Sequence, residues 1–216
     1  MNFSNRRQAG QALAERLGAY RKQPQVLVLA LPRGGVPVAS EVAAALDAPL
    51  DVFVVRKLGV PHHPEYAMGA IASGGVRVMN PDAAHLRLDP SEVEAVVVRE
   101  QQELERRERL YRGARPPPSL QGRTVILVDD GLATGSTMRA AVRAARQQGA
   151  GRIVVAVPVA APETAESLRG EVDEVVCVAT PVPFHAVGLW YDDFDQVSDD
   201  EVRTLLAAAS NREPHR

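Results

Sequence analysis

One stretch constrains this chain more than any other: Val125-Ile126-Leu127-Val128-Asp129-Asp130-Gly131-Leu132-Ala133-Thr134-Gly135-Ser136-Thr137. Four branched apolar residues in a row predict a buried parallel strand, and the glycines and hydroxyls behind them predict a tight loop opening a helix. Gly131 and Gly135 permit close backbone approach, successive N–H groups turn inward, and a helix starting near Ser136 or Thr137 adds its positive dipole end. Such a loop holds an anion. The two carboxylates would repel a phosphate set directly on them, but they accept hydrogen bonds from a diol or bind Mg²⁺. Phosphate, diol and metal together describe a ribose phosphate. An ordinary capped turn does not need two acids, two glycines and three hydroxyls. A Walker-type loop needs a lysine, and none lies near.

The same grammar recurs upstream. A first helix over residues 5–20, closed by Pro24, leads to an apolar strand from Val26 to Leu31. Leu31-Pro32-Arg33-Gly34-Gly35-Val36-Pro37 is then a second glycine loop before a helix from Val38 to Leu46. A strand from Leu50 to Val55 ends in Arg56-Lys57 and a stretch to Gly69 with two prolines and two histidines, a poor core and a plausible lid. Ala70 to Met79, broken by Ser73-Gly74-Gly75, predicts a β-hairpin. Asp89 caps a long charged helix running to about Tyr111. Beyond the central loop follow a helix from Met138 to Gln148, a strand from Arg152 to Val159, a helix begun by Pro162, and a strand from Val172 to Val178. Strands alternating with helices imply a mostly parallel sheet with ligands at its carboxyl ends.

Composition excludes several classes. A net charge of −2 over 216 residues leaves no nucleic-acid footprint. The single Cys177, set in an apolar run, permits no disulfide within the chain and suits a buried thiol. No window has the length of a membrane span, and no signal-peptide core is present, so a cytoplasmic protein is expected. Adjacent His62 and His63 suit a solvated loop better than a metal site, because neighbouring side chains point apart and no third ligand is in view.

On the central stretch the chain resembles the type I phosphoribosyltransferases, whose signature is an apolar strand, paired acids and a Thr-Gly-x-Thr loop. The resemblance implies an α/β fold: a mostly parallel twisted sheet flanked by helices, a flexible lid with a β-hairpin, and a small C-terminal hood. It implies a core over residues 1–179, with a lid at about 56–79, and a hood with a final helix over 180–216. It implies that Asp129 and Asp130 hold the ribose hydroxyls of 5-phosphoribosyl pyrophosphate (PRPP) and Mg²⁺, directly or through water, and that Gly131, Leu132, Ala133, Thr134, Gly135, Ser136 and Thr137 wrap its 5′-phosphate. Arg33, Gly34 and Gly35 match the pyrophosphate loop, where the family often carries a cis peptide. Arg56 and Lys57 are similar to the Arg-Lys pair that precedes the closing loop of adenine and orotate enzymes.

The aromatic segment Thr180 to Phe194 is similar to the hood of the 6-oxopurine enzymes. Phe184, His185, Val187, Trp190 and Asp192 would then face the base, although an aromatic plug closing the core fits the same residues. The expected function is Mg²⁺-dependent transfer of phosphoribosyl to a purine or pyrimidine base with release of pyrophosphate, by a homodimer. A regulatory protein that binds PRPP without transfer is the alternative. Ala133 stands where the 6-oxopurine enzymes place an aspartate near the base nitrogen, a departure from their pattern.

Overall fold

The computed structural model describes residues 2–211, apart from the side chains of Asp82 and Ala84. The chain's tail, read from the sequence as frayed from Asn211, lies outside them beyond that residue. Five strands form a parallel sheet: β1 (Val26–Ala30), β2 (Leu50–Val52), β6 (Thr124–Val128), β7 (Arg152–Val159) and β8 (Glu174–Ala179). Their spatial order is β2-β1-β6-β7-β8. All five residues of β1 and of β6 are buried, as the uninterrupted apolar runs require of central parallel strands. Each such Val, Leu or Ile contributes about 1.5–3 kcal/mol by burial.

Alternate strand residues feed two cores. Val26, Val28, Ile126, Val128 and Val154 face a layer built by α1 (Arg6–Arg16), α2 (Gly35–Leu46), α3 (Pro90–Arg112) and α6 (Asp199–Ser210). Leu27, Leu29, Val125, Leu127 and Val155 face α4 (Ser136–Gln147) and α5 (Pro162–Arg169). The predicted cap of the long helix is in place, Asp89 accepting from the N–H of Ser91. Asn5, the first residue of the first predicted helix, is instead the cap of α1 and accepts from the N–H of Gln8. The expected mostly parallel sheet between helices is the observed one.

Two expectations need correcting. The strand predicted from Leu50 to Val55 is divided, because Val54 N–H turns from the parallel sheet to the Ser73 hydroxyl at 2.8 Å. The stretch from Arg56 to Gly69, read as a poor core, is paired and partly buried. It forms β3 (Val55–Val60) and β4 (His63–Ala72), which with β5 (Val76–Met79) make an antiparallel sheet in the order β3-β4-β5. Leu58, Val60 and Met68 are buried along the hairpin, an anchor that the neighbouring charges and prolines concealed. The hairpin expected at Ala70 to Met79 is the β4–β5 turn, with Gly74 and Gly75 both at positive φ.

Candidate functional site

Strand order reverses between β1 and β6: the chain leaves β1 for β2 on one side and leaves β6 for β7 on the other. The loops behind these two strands therefore diverge and open a crevice at the carboxyl edge. Both predicted anion loops lie there. They touch, since Leu31 N–H donates to the Val128 carbonyl at 2.9 Å. A Cβ on Gly34 would sit 2.1 Å from Asp130 Oδ2, and one on Gly35 would sit 2.7 Å from the Val128 carbonyl oxygen. The glycines are thus required by the contact between the loops. The Pro32–Arg33 peptide is cis. Gly35 N–H donates to the Leu31 carbonyl at 3.1 Å, whereas the Gly34 N–H has no backbone acceptor among the described residues.

Asp129 and Asp130 sit together at the end of β6 but in different surroundings. Asp129 Oδ1 accepts the N–H of Asp130 at 2.8 Å. Burial, and then the charge of Asp130, hold its carboxyl well above the usual aspartate range. Asp130 Oδ2 accepts from Arg6 Nε at 2.9 Å. Burial raises this carboxyl too, against the opposing pull of the guanidinium. Tyr191 donates its hydroxyl to the Asp130 carbonyl at 2.6 Å, and burial drives that phenol far upward.

The loop that follows opens to solvent. Ala133, Thr134 and Ser136 are exposed, and the N–H groups of Ala133, Thr134 and Gly135 have no acceptor among the described residues. Ser136 and Thr137 occupy the first turn of α4, where N–H groups have no helical partner. Gly135 takes φ 72°, a left-handed conformation that turns the chain into the helix. Leu132 is different: it is buried, and its N–H and C=O pair with Val159 and Ala161. From behind, the Thr164 hydroxyl donates to the Ala133 carbonyl at 2.5 Å and Arg139 Nη1 to the Thr134 carbonyl at 2.8 Å. These two props carried no signal of their own in the sequence.

The cations divide. Arg33 Nη1 lies 3.8 Å from Asp199 Oδ1 at the start of α6. Asp199 Oδ1 also accepts the Tyr111 hydroxyl, whose pKa burial and this bond push up to about 12. On β3, successive side chains alternate faces. Arg56 reaches Glu100 of α3 at 2.7 Å, and Lys57, on the opposite face, is exposed. The pair does not converge on one point. His62, in the β3–β4 turn, contacts Glu92 at 2.8 Å, in keeping with a solvated pair.

In the hood, Phe184 stacks on Trp190 with centroids 6.5 Å apart and rings 16° from parallel. Both are half-buried and pack against a cluster of Phe3, Ala9, Val159 and Tyr191. Val187 reaches the phosphate loop, its Cγ1 lying 2.5 Å from where a Gly131 Cβ would stand. His185 and Asp192 are exposed. Cys177 is half-buried, its thiol pushed up to about 11 by burial.

Among the described residues no group of three or more His, Cys, Asp or Glu could hold a metal ion. Mg²⁺ asks for less, taking one or two carboxylates with water and substrate oxygens. The Asp129–Asp130 pair fits a metal that arrives with its substrate. Among the described residues no helix is long and apolar enough to cross a membrane.

A parallel sheet between helices, with its switch point at two touching glycine loops, defines an open, doubly wound α/β protein. Residues 4–193 match the phosphoribosyl transferase domain, and the chain belongs to that family. It is 50% identical over 208 residues to the Mycobacterium tuberculosis protein named "Putative phosphoribosyl transferase Rv0571c", covering 96% of this chain and 47% of that protein. The chain thus spans about half the length of the curated relatives it matches. The crystal structure of TT1426 from Thermus thermophilus is 46% identical, with a TM-score of 0.85 over 96% of this chain and 99% of that one.

Proposed function

We propose that this chain transfers the 5-phosphoribosyl group of PRPP to a nitrogenous base and releases pyrophosphate. The observation that carries the reading is the fit of Gly34 against Asp130: a pyrophosphate-type loop and a diol-type acid pair share one crevice with no room for a Cβ between them. On this reading Asp129 and Asp130 accept hydrogen bonds from the ribose hydroxyls. The amides of Ala133 to Thr137 bind the 5′-phosphate, and Arg33 with the Gly34 amide orients the pyrophosphate. Asp129 and Asp130 are the residues that would hold Mg²⁺, which would supply charge neutralisation.

As the C1–O bond breaks, positive charge grows on the ribose and negative charge on the leaving pyrophosphate, and a base nitrogen closes on C1. Arg33 and Lys57 meet the growing negative charge. Lys57, on an exposed hairpin, would do so only on closure, which would also exclude the water that hydrolyses an activated ribose. Val187, already against Gly131, borders the base, with His185 and Asp192 as the exposed polar groups beside it. Because Ala133 provides no carboxylate, the base nitrogen either enters as an anion or gives its proton to His185 or Asp192. Ala133 is also what favours the second reading, a PRPP-binding regulator without transfer.

Pyrophosphate release from PRPP with Mg²⁺ and pooled purine and pyrimidine bases separates the two. Release that needs the bases and disappears in an Asp129→Asn, Asp130→Asn variant is expected. Absence of release, with PRPP still raising the melting temperature, would favour the regulator.

A further inference from the structure

Resting on the PRPP reading of the crevice, we infer that Arg6 is a positioning residue for it: the first residue of α1 fixes the carboxylate of Asp130 against the pyrophosphate loop. Three contacts hold its guanidinium. Nε donates to Asp130 Oδ2 at 2.9 Å, Nη1 donates to the Asp195 carbonyl at 2.8 Å, and Cζ lies 3.9 Å from the centroid of the Phe194 ring. The Arg6 and Asp130 side chains are only 11% and 15% exposed. A guanidinium engaged through its fork and its face has little freedom, and the carboxylate it grips has no more.

The base of the arrangement is equally fixed. Asn5 caps α1, and Gly10, one turn on, lets that helix lie so close to α2 that a Cβ there would stand 2.7 Å from the Val38 carbonyl oxygen. Arg6 therefore belongs to the same rigid pair of helices that carries Gly34 and Gly35. Asp130 Oδ2 is clamped between the Arg6 guanidinium and the bare Cα of Gly34, whereas among the described residues Asp129 accepts a backbone N–H alone. One acid is held in a set orientation and the other keeps its capacity for a ligand. A mere tether for the hood is not needed at this point: Phe3 N–H to Trp190, Asp192 N–H to Phe3 and Asp193 N–H to Ser4 already tie the N-terminus to it.

The test is a double-mutant cycle on PRPP affinity, measured by titration calorimetry with MgCl₂ present. Arg6→Ala is expected to weaken binding on the order of tenfold, the worth of one charge-assisted hydrogen bond. In an Asp130→Asn background the same substitution should change affinity by less than about twofold, because its target is gone. Unchanged affinity in Arg6→Ala, or an equal loss in both backgrounds, would overturn the inference. If circular dichroism shows Arg6→Ala unfolded, Arg6→Lys, which keeps the charge and loses the fork, enters the cycle under the same criterion. Failure of the unsubstituted protein to bind PRPP would refute the functional reading itself; binding there with uncoupled Arg6 variants refutes only the role of Arg6.

Discussion

Gly34→Ala and Gly35→Ala, neighbours in sequence, should fail in different ways. The Gly34 Cβ would fall 2.1 Å from Oδ2 and 2.8 Å from Cγ of Asp130, the end of a side chain that can rotate away. Gly34 has φ −59°, so its backbone accepts alanine without strain. The cost is the contact with Arg6 and some repacking, about 1–3 kcal/mol. At about 2–4 °C per kcal/mol for a chain of this size, the melting temperature should fall by roughly 2–12 °C. The Gly35 Cβ would meet the Val128 carbonyl oxygen at 2.7 Å and the Asp129 Cα at 3.0 Å, both main chain. No rotamer relieves that clash, so α2 must move off the end of β6, and the loss exceeds that of Gly34→Ala. PRPP affinity should fall more than about tenfold in Gly34→Ala although most of its stability remains, because the displaced carboxylate is the proposed ribose ligand. Calorimetric melting and PRPP titration on both variants decide the matter. Gly34→Ala with unchanged PRPP affinity, or Gly35→Ala as stable as the unsubstituted protein, would refute the reasoning.

Asp129→Asn should raise the melting temperature at neutral pH while it weakens PRPP binding. The folded carboxyl titrates above its ordinary value of 3.8, so the folded state holds the extra proton and stability is lost as pH rises from 3.8 through the raised folded value. The gain over the unsubstituted protein should therefore vanish in melting curves at acid pH. Arg112→Ala should cost about 3–5 kcal/mol by urea unfolding, since it strands Asp51, which burial already pushes above its usual pKa and which Arg112 Nε meets at 3.0 Å. Lys57→Ala should lower kcat by about tenfold or more with little change in PRPP affinity from titration, because its contact forms only on closure; equal losses in both would remove the lid role.

The parts of the fold that were legible in the sequence are those set by local pattern. The uninterrupted apolar runs of β1 and β6 and the cap at Asp89 stand where periodicity and capping chemistry place them. The β3–β4 hairpin was not legible, because its charged and proline-rich surface hides an inward line of Leu58, Val60 and Met68 that only tertiary packing reveals. Within the site, the two glycine loops could be read because backbone geometry dictates their residue types. Arg6 could not: a helix-terminal arginine reads as solvated, and its partner is 124 positions away. Tyr191 gave no better signal, since nothing in an aromatic cluster says which ring will seek the Asp130 carbonyl and which will only stack.

The most direct measurement of the central claim is calorimetric titration of PRPP, with MgCl₂, into the unsubstituted protein and into the Asp129→Asn, Asp130→Asn variant. One-site binding by the first and loss of that binding in a variant that melts cooperatively is the predicted result. Equal PRPP affinity in the two proteins would contradict it, because the acid pair would then take no part in holding the ligand.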